Sequence, residues 1–356
     1  MSKSSVYRRR RKKGILYRIG RILMPIIITI AGLLLLCLVV IFILEKGPSE
    51  TAKTIFVHAV KETSRMGFVS RIFLPDDEVD RIMATGGMLE LADGQTNDTD
   101  LIHTEDIQEE EKASITFEEV QGSSFKGYLL TIRDPSRVFC GTVPEFGHFD
   151  GMTVMEMIET YNSSHEGDPV IAGVNGGDFV DLGTNNSYTA QPLGAIISGG
   201  EVLMAEYGYE ETYHLVGLTY ENKLVMGNFT IQEALNMGIR DAIYCVHNTG
   251  PFLVMDGKPL IEDVPGGTTY GTGKNPRTAI GQKADGSILL FVCDGRKPDT
   301  LGATFEDLAM FMKELGAVNA AAMDGGSSSQ LVYEGEVKNH PYSLVPRKCP
   351  TAWFVR

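Results

Sequence analysis

The apolar pattern divides the chain into three stretches. Residues 22–44 form an uninterrupted uncharged run, most of it large and aliphatic. From there to about residue 114, short apolar periodicities sit among acidic residues. Beyond it, apolar runs of a few residues alternate with turns rich in Gly, Asn and Asp.

The first run is 23 residues long, enough to cross roughly 30 Å of hydrocarbon as a helix rising about 1.5 Å per residue. Pro25 is expected at its start, where a helix tolerates proline. Arg8-Arg9-Arg10-Arg11-Lys12-Lys13, Arg18 and Arg21 precede the run, and Glu45 follows it. Basic residues stay on the cytoplasmic side, which leaves everything after residue 45 outside. The run is longer than a signal-peptide core and no small-x-small cleavage site follows closely, so it reads as a retained anchor. The predicted organisation is a cytoplasmic basic tail over residues 1–21, a transmembrane helix over 22–44, a juxtamembrane region with an acidic linker over 45–114, and a compact domain over 115–356. Within the third of these, residues 51–66 and 76–83 read as short helices. Residues 93–111, acidic and poor in large apolar side chains, read as a linker or mobile arm.

In the last stretch the period is that of strands. Residues 128–132 (YLLTI), 138–143 and 170–174 (VIAGV) are strands, and residues 153–161 (TVMEMIETY) are a short helix behind a Thr cap. Hairpins join 195–197 to 202–204 through Gly199-Gly200, and 218–220 to 224–226 through Asn222-Lys223. Asp256-Gly257 closes 252–255. Residues 288–293 (ILLFVC) are apolar throughout, the mark of a central strand. Residues 304–315 are the clearest helix. Thr304 is its cap, Glu306 and Asp307 are in its first turn, Leu308, Phe311, Met312 and Leu315 make its apolar stripe, and Gly316 stops it. The expected fold is α+β, a mixed, hairpin-rich sheet flanked by a few helices in one domain.

Composition adds two constraints. Net charge is −14, yet residues 1–44 hold nine Lys or Arg and no acid, so the remainder carries 23 basic against 46 acidic residues, a net of −23. A body this acidic lacks the basic face that nucleic acid requires. Cys140, Cys245, Cys293 and Cys349 are widely spaced, fit no metal-ligand pattern and read as small buried residues, with one disulfide open to them in an oxidising compartment.

Four segments concentrate candidate chemistry. They are Asn175-Gly176-Gly177-Asp178 after a buried strand, Asn275-Pro276-Arg277-Thr278, Asp294-Gly295-Arg296 directly after ILLFVC, and Asp324-Gly325-Gly326-Ser327-Ser328. Each alone is an ordinary turn. Together they supply arginines for paired bonds to phosphate, carboxylates for acid–base or nucleophilic work, and glycine amides and hydroxyls for a polar ligand. His247 and Glu306 read more simply as a structural histidine and a helix-start acid. No G-x-S-x-G elbow, HExxH, EF-hand or Walker A sequence occurs, so no motif calls for a metal or other cofactor.

The ordered series GVNGGDF, NPRTAIG, the DGR after a strand, TFEDLAMFMKELGAVNAAAMDGGSSSQL and Pro350-Thr351-Ala352-Trp353 resembles the phosphodiester glycosidase family over roughly residues 115–356. Asp178 and Ser327 depart from that pattern, standing where an aromatic or small residue and a third glycine are common. The resemblance implies cleavage of a sugar-1-phosphodiester at the anomeric C–O bond, with bacterial relatives tied to exopolysaccharide or cell-envelope glycans. Mapped onto this chain, it makes Asp324, Asp294 and Asp178 the candidate base or nucleophile and Arg277 and Arg296 the phosphate donors. Asn175, Asn275, Thr278, Ser327, Ser328 and the glycines 176, 177, 295, 325 and 326 would line the substrate. The alternatives are a non-catalytic glycan-binding or scaffolding protein of the envelope and, more remotely, a serine-based hydrolase.

Overall fold

The computed structural model describes residues 3–61, 67–83, 88–105, 107–181, 187–245, 250–261, 273–343 and 346–356. Two compact units divide the chain, Met1–Met83 and Ala84–Arg356.

In the first unit a helix spans Lys3–Lys46, and its apolar part, Leu23–Lys46, is long enough to cross a membrane. The helix begins well before the apolar run, so Pro25 lies inside it rather than at its start. The Pro25 carbonyl accepts a bond from Thr29 Oγ1 at 2.9 Å, the back-bond to the fourth preceding carbonyl that Thr makes inside a helix. Helices Glu50–Lys61 and Asp76–Met83 follow, packed around Val57, Leu74, Val79 and Ile82.

The second unit is built from three main sheets in which every strand-to-strand ladder is antiparallel. The α+β expectation holds, with hairpins in each sheet and antiparallel pairing also between strands far apart in the chain. The largest sheet places Ile288–Cys293 between Lys126–Ile132 and Arg277–Lys283, and Ala317–Met323 pairs the far side of Arg277–Lys283. The continuous apolar run of ILLFVC now has its reason. Leu290 and Val292 face one core together with Ile280, Val174 and Trp353, whereas Leu289 and Phe291 face a second core against Leu308, Ala309 and Met312. A strand covered on both faces has no polar position to alternate with. The helix filling the second core is Phe305–Glu314, opened by a reciprocal Thr304–Asp307 capping box and followed by Gly316 at φ +92°. A second capping box, Thr153 with Glu156, opens Val154–Ser164.

Among the described residues a short pairing of Phe179–Val180 with Tyr188–Pro192 and two five-stranded sheets make up the rest of the unit's sheet structure. One orders Leu224–Thr230, Thr212–Thr219, Ile239–Tyr244, Ala195–Ser198 and Glu201–Ala205. The other orders Glu336–Val337, Leu331–Tyr333, Ala172–Asn175, Thr351–Val355 and Val138–Thr142. The acidic stretch expected as a mobile arm is docked over part of its length. Thr96 bridges Gly227, and Asn97 accepts from the Met226 amide at 2.7 Å and donates to the Leu224 carbonyl at 3.0 Å. Ile102 is fully buried. One amide side chain that satisfies a strand edge, with one apolar anchor beyond it, suffices to fix a segment whose composition is otherwise that of a linker.

Candidate functional site

Strand register brings the four segments to one edge. Arg277 pairs with Cys293 and Thr278 with Met323 in the large sheet, so the residues that follow Cys293 and Met323 emerge beside the start of the Arg277 strand. In the neighbouring sheet Asn175 pairs with Ala352, which puts the Gly176-Gly177-Asp178 turn at the matching end.

Asn175 ties the two sheets together. Its side chain is fully buried. Nδ2 donates to the Asp324 carbonyl at 2.6 Å, and Oδ1 accepts from Thr278 Oγ1 at 2.7 Å and from the Gln330 amide at 3.1 Å. The Asp324 amide donates to the Gly176 carbonyl at 3.1 Å. Asn175 and Thr278 therefore position the site and spend their polar atoms on one another and on backbone. The glycines have steric reasons. A Cβ on Gly176 would lie 2.4 Å from Thr351 Oγ1, and one on Gly177 would lie 2.0 Å from the Tyr244 carbonyl oxygen. Only chains without side chains pass this closely.

At the end of these turns stand Asp178 and Asp324. Burial raises the Asp324 carboxyl and the negative charge of Asp178 raises it further, to about 7, against the opposing pull of the Ser328 hydroxyl, Arg347 and the Gly325 amide. Two carboxylates close enough to repel share their charge unequally, the usual means of holding one acid ready to exchange a proton near neutral pH. The Cys245 thiol lies beneath the pair, faced by the amides of Asp178 and Asp324 and pushed well above its usual range by burial. It is fully buried and unoxidised, as are the thiols of Cys140, Cys293 and Cys349 to within 2% exposure.

Arg347 is the site residue that sequence reasoning missed. Its Nη2 lies 2.6 Å from Asp181 Oδ2, its Nη1 donates to Ser327 Oγ at 3.4 Å, and its Cζ lies 4.8 Å from the centre of the Phe179 ring. It comes three residues before the Pro350-Thr351-Ala352-Trp353 block. That place, just ahead of a strand paired with the Asn175 strand, was the available signal.

Arg296 flanks the same turn. Its Nε donates to Asn275 Oδ1 at 2.7 Å, and its Nη2 would lie 3.4 Å from a Cβ on Gly326. Arg296 sits at φ +59°, a conformation that side chains other than Gly adopt at a cost and that concentrates at functional positions. Gly295 fits because a Cβ would meet the Pro276 nitrogen at 2.6 Å, and Gly326 turns at φ +64° with its amide on the Pro276 carbonyl. Gly325 is similarly confined, since an added Cβ would lie 2.9 Å from that carbonyl oxygen.

Two of the expected residues are engaged elsewhere. Arg277 is buried, with Nε on the Ala303 carbonyl at 3.1 Å, Nη2 on the Gly273 carbonyl at 2.9 Å and Cζ 3.8 Å above the Phe305 ring. Asp294 is buried in a network of its own. Its Oδ2 accepts from the Tyr128 hydroxyl at 3.1 Å, and its Oδ1 accepts from the His340 amide at 2.9 Å and from Asn339 Nδ2 at 3.4 Å. Asn339 also donates to the Ser329 carbonyl at 3.0 Å, so Asp294 braces the backbone that carries the serine turn. His247 lies outside the described residues. Among the described residues no group of His, Cys, Asp and Glu could hold a metal ion.

Comparison with known proteins gives the same direction. The family model described as phosphodiester glycosidase matches residues 168–356, more than half the chain. The chain is 38% identical over 93 residues, 26% of its length, to 14% of the SPbeta prophage-derived uncharacterized protein YomE of Bacillus subtilis. It is 24% identical over 238 residues to the N-acetylglucosamine-1-phosphodiester alpha-N-acetylglucosaminidase of Mus musculus, covering 62% of this chain and 42% of that one. It spans less than half the length of the curated relatives it matches. Among solved structures, the catalytic domain of the zebrafish enzyme of that name, auto-inhibited by its pro-peptide, superposes with a TM-score of 0.52 at 22% identity, covering 68% of this chain and 82% of that one. At that identity the likeness is one of fold.

Proposed function

The chain belongs to the phosphodiester glycosidase family, and from that premise we propose that it hydrolyses a sugar-1-phosphodiester of the cell envelope or an exopolysaccharide, from the outer face of the membrane that holds its N-terminal helix. The observation that carries this reading is the Asp178–Asp324 pair, one member titrating near neutrality, beside a serine turn flanked by Arg296 and Arg347.

The reaction follows from the charges. Water attacks the anomeric carbon and gives its proton to the Asp324 carboxylate. The C–O bond to phosphate breaks, and its electron pair leaves with the phosphate monoester. That group departs without a strong general acid, so the weight falls on cations that take its charge, here Arg347 and Arg296. The Asp178 carboxylate stabilises the positive charge that develops on the ring. Asn175, Thr278 and Asp294 hold the turns in place, and Arg277 keeps the start of its strand anchored. The two arginines are what favour this reading over a glycan-binding or scaffolding role, since binding a neutral sugar calls for no cation.

The test is release of free sugar by the purified protein from a panel of sugar-1-phosphodiesters, teichoic-acid-like polymers included. Asp324→Asn and Arg347→Ala are each expected to lower kcat/KM by about a hundredfold or more. Wild-type rates in both variants would remove the site assignment, and binding with no turnover of any panel member by the unmodified protein would favour the scaffolding role.

A further inference from the structure

The reaction above uses the carboxylates and arginines and leaves the neighbouring tyrosines without a part. Tyr244 ends the strand Ile239–Tyr244 and directly precedes Cys245. Its phenol is pushed up to about 12 by burial first and then by Tyr207 and Asp178, and the Leu193 amide, next to the Gly194 that its ring covers, donates to the Asp178 carbonyl at 3.0 Å. Its ring fills the space over Gly194, where an added Cβ would meet ring carbon Cγ at 2.2 Å.

Tyr244 belongs to a fixed cluster. Tyr213, buried to 1% exposure, donates its hydroxyl hydrogen to the Gly208 carbonyl at 2.9 Å and accepts from the Tyr207 amide at 2.8 Å. Tyr207 stacks on Tyr213 at 5.9 Å and 14°, and Tyr244 meets its edge at 6.1 Å and 89°. The connection between Glu201–Ala205 and Thr212–Thr219 is thereby pinned. Glu206 pins it again, since its Oε2 accepts from the Gly194 amide and its own amide donates to the Gly194 carbonyl, both at 2.8 Å. From this rigid base Tyr207 stands 57% exposed.

An exposed aromatic ring held without freedom, with a carboxylate beside it, has the makings of a sugar site. The ring takes the C–H face of a pyranose, the carboxylate accepts from its hydroxyls, and little ordering entropy remains to be lost. The ionisable neighbours are Glu206, Glu211 and Asp178, all acids, with the phenols of Tyr207, Tyr213 and Tyr244 and the Cys245 thiol. A phosphate or a uronate would be repelled here, whereas the arginines stand at the Ser327 turn. We propose that Tyr207, Tyr244 and Glu206 form a subsite for an uncharged pyranose ring, the sugar end of the substrate. The orientation of substrate rests on the hydrolase reading; occupancy of the subsite does not.

The experiment is saturation-transfer NMR on the full chain in lipid nanodiscs, with glucose and N-acetylglucosamine as neutral probes, glucuronate as the charged one and inorganic phosphate as the control. Both neutral sugars are expected to bind and glucuronate to bind at least tenfold more weakly. Tyr207→Ala and Glu206→Gln should each weaken the neutral sugars about tenfold and leave phosphate binding unchanged. On any phosphodiester that is turned over, Tyr207→Ala should raise KM about tenfold with kcat within about twofold. Neutral sugars that bind equally to wild type and to a folded Tyr207→Ala, glucuronate that binds as well as glucose, or no sugar binding by the intact protein would each overturn the subsite. Sugar binding that depends on Tyr207 in a protein without turnover would overturn the hydrolase reading and keep the subsite.

Discussion

Asp324 should destabilise the protein at the pH where it works, and replacing it should show by how much. Its carboxyl goes from an ordinary 3.8 to about 7 on folding. A raised carboxylate favours its protonated form in the folded state, so folding takes up a proton between those two values. The contribution of this one group to stability is therefore greatest below about pH 4, declines as pH rises toward 7, and is flat above. At about 1.4 kcal/mol per tenfold change in proton affinity, the interval sets an upper bound of roughly 4 kcal/mol. The group is partly solvent-exposed, and water and local relaxation reduce that, so about 1–3 kcal/mol is expected. Asp324→Asn keeps the shape and removes the titration. At pH 8 the variant should be more stable than the parent by that amount, seen as a rise of a few degrees in Tm or a later urea midpoint with unchanged m. At pH 4 the two should coincide. Asp178→Asn should give a smaller gain with the same pH dependence, because it removes the second cause and leaves the first. A variant no more stable than the parent at pH 8, or an advantage that persists undiminished at pH 4, would refute the argument that burial and a like charge strain this carboxylate.

Two further outcomes follow from the geometry. Arg277→Ala uncovers the buried carbonyls of Ala303 and Gly273 and empties the space over Phe305, so urea unfolding should show a loss of about 2–5 kcal/mol; full stability with lost activity would instead make Arg277 a substrate ligand. In intact cells, an added protease that cannot cross the membrane should digest the body and spare residues 3–21, and a protected body would refute the outward placement drawn from the basic flank.

Much of this protein is local and so legible along the chain. The apolar run of residues 22–44, the Thr304 and Thr153 caps, and the two-sided burial of ILLFVC follow from periodicity and from chemistry within a few residues of each other. The turns at 176–178, 275–278, 294–296 and 324–328 were visible for the same reason, since glycine or proline beside Asn or Asp marks a sharp turn wherever it occurs. Which of their side chains face one another was not, because that depends on register between strands such as Ala172–Asn175 and Thr351–Val355, more than 170 residues apart. Asp294 and Arg277 have the composition of site residues, yet Tyr128, the His340 amide, the Ala303 carbonyl and the Phe305 ring claim them first. Arg347 lies in no glycine-rich turn, and only the antiparallel pairing of Thr351–Val355 with Ala172–Asn175 carries it to Ser327 and Asp181. The acidity of Asp324 is tertiary in the same sense: burial and a second carboxylate are properties of an assembled fold, and a sequence records the carboxyl without the surroundings that set its charge.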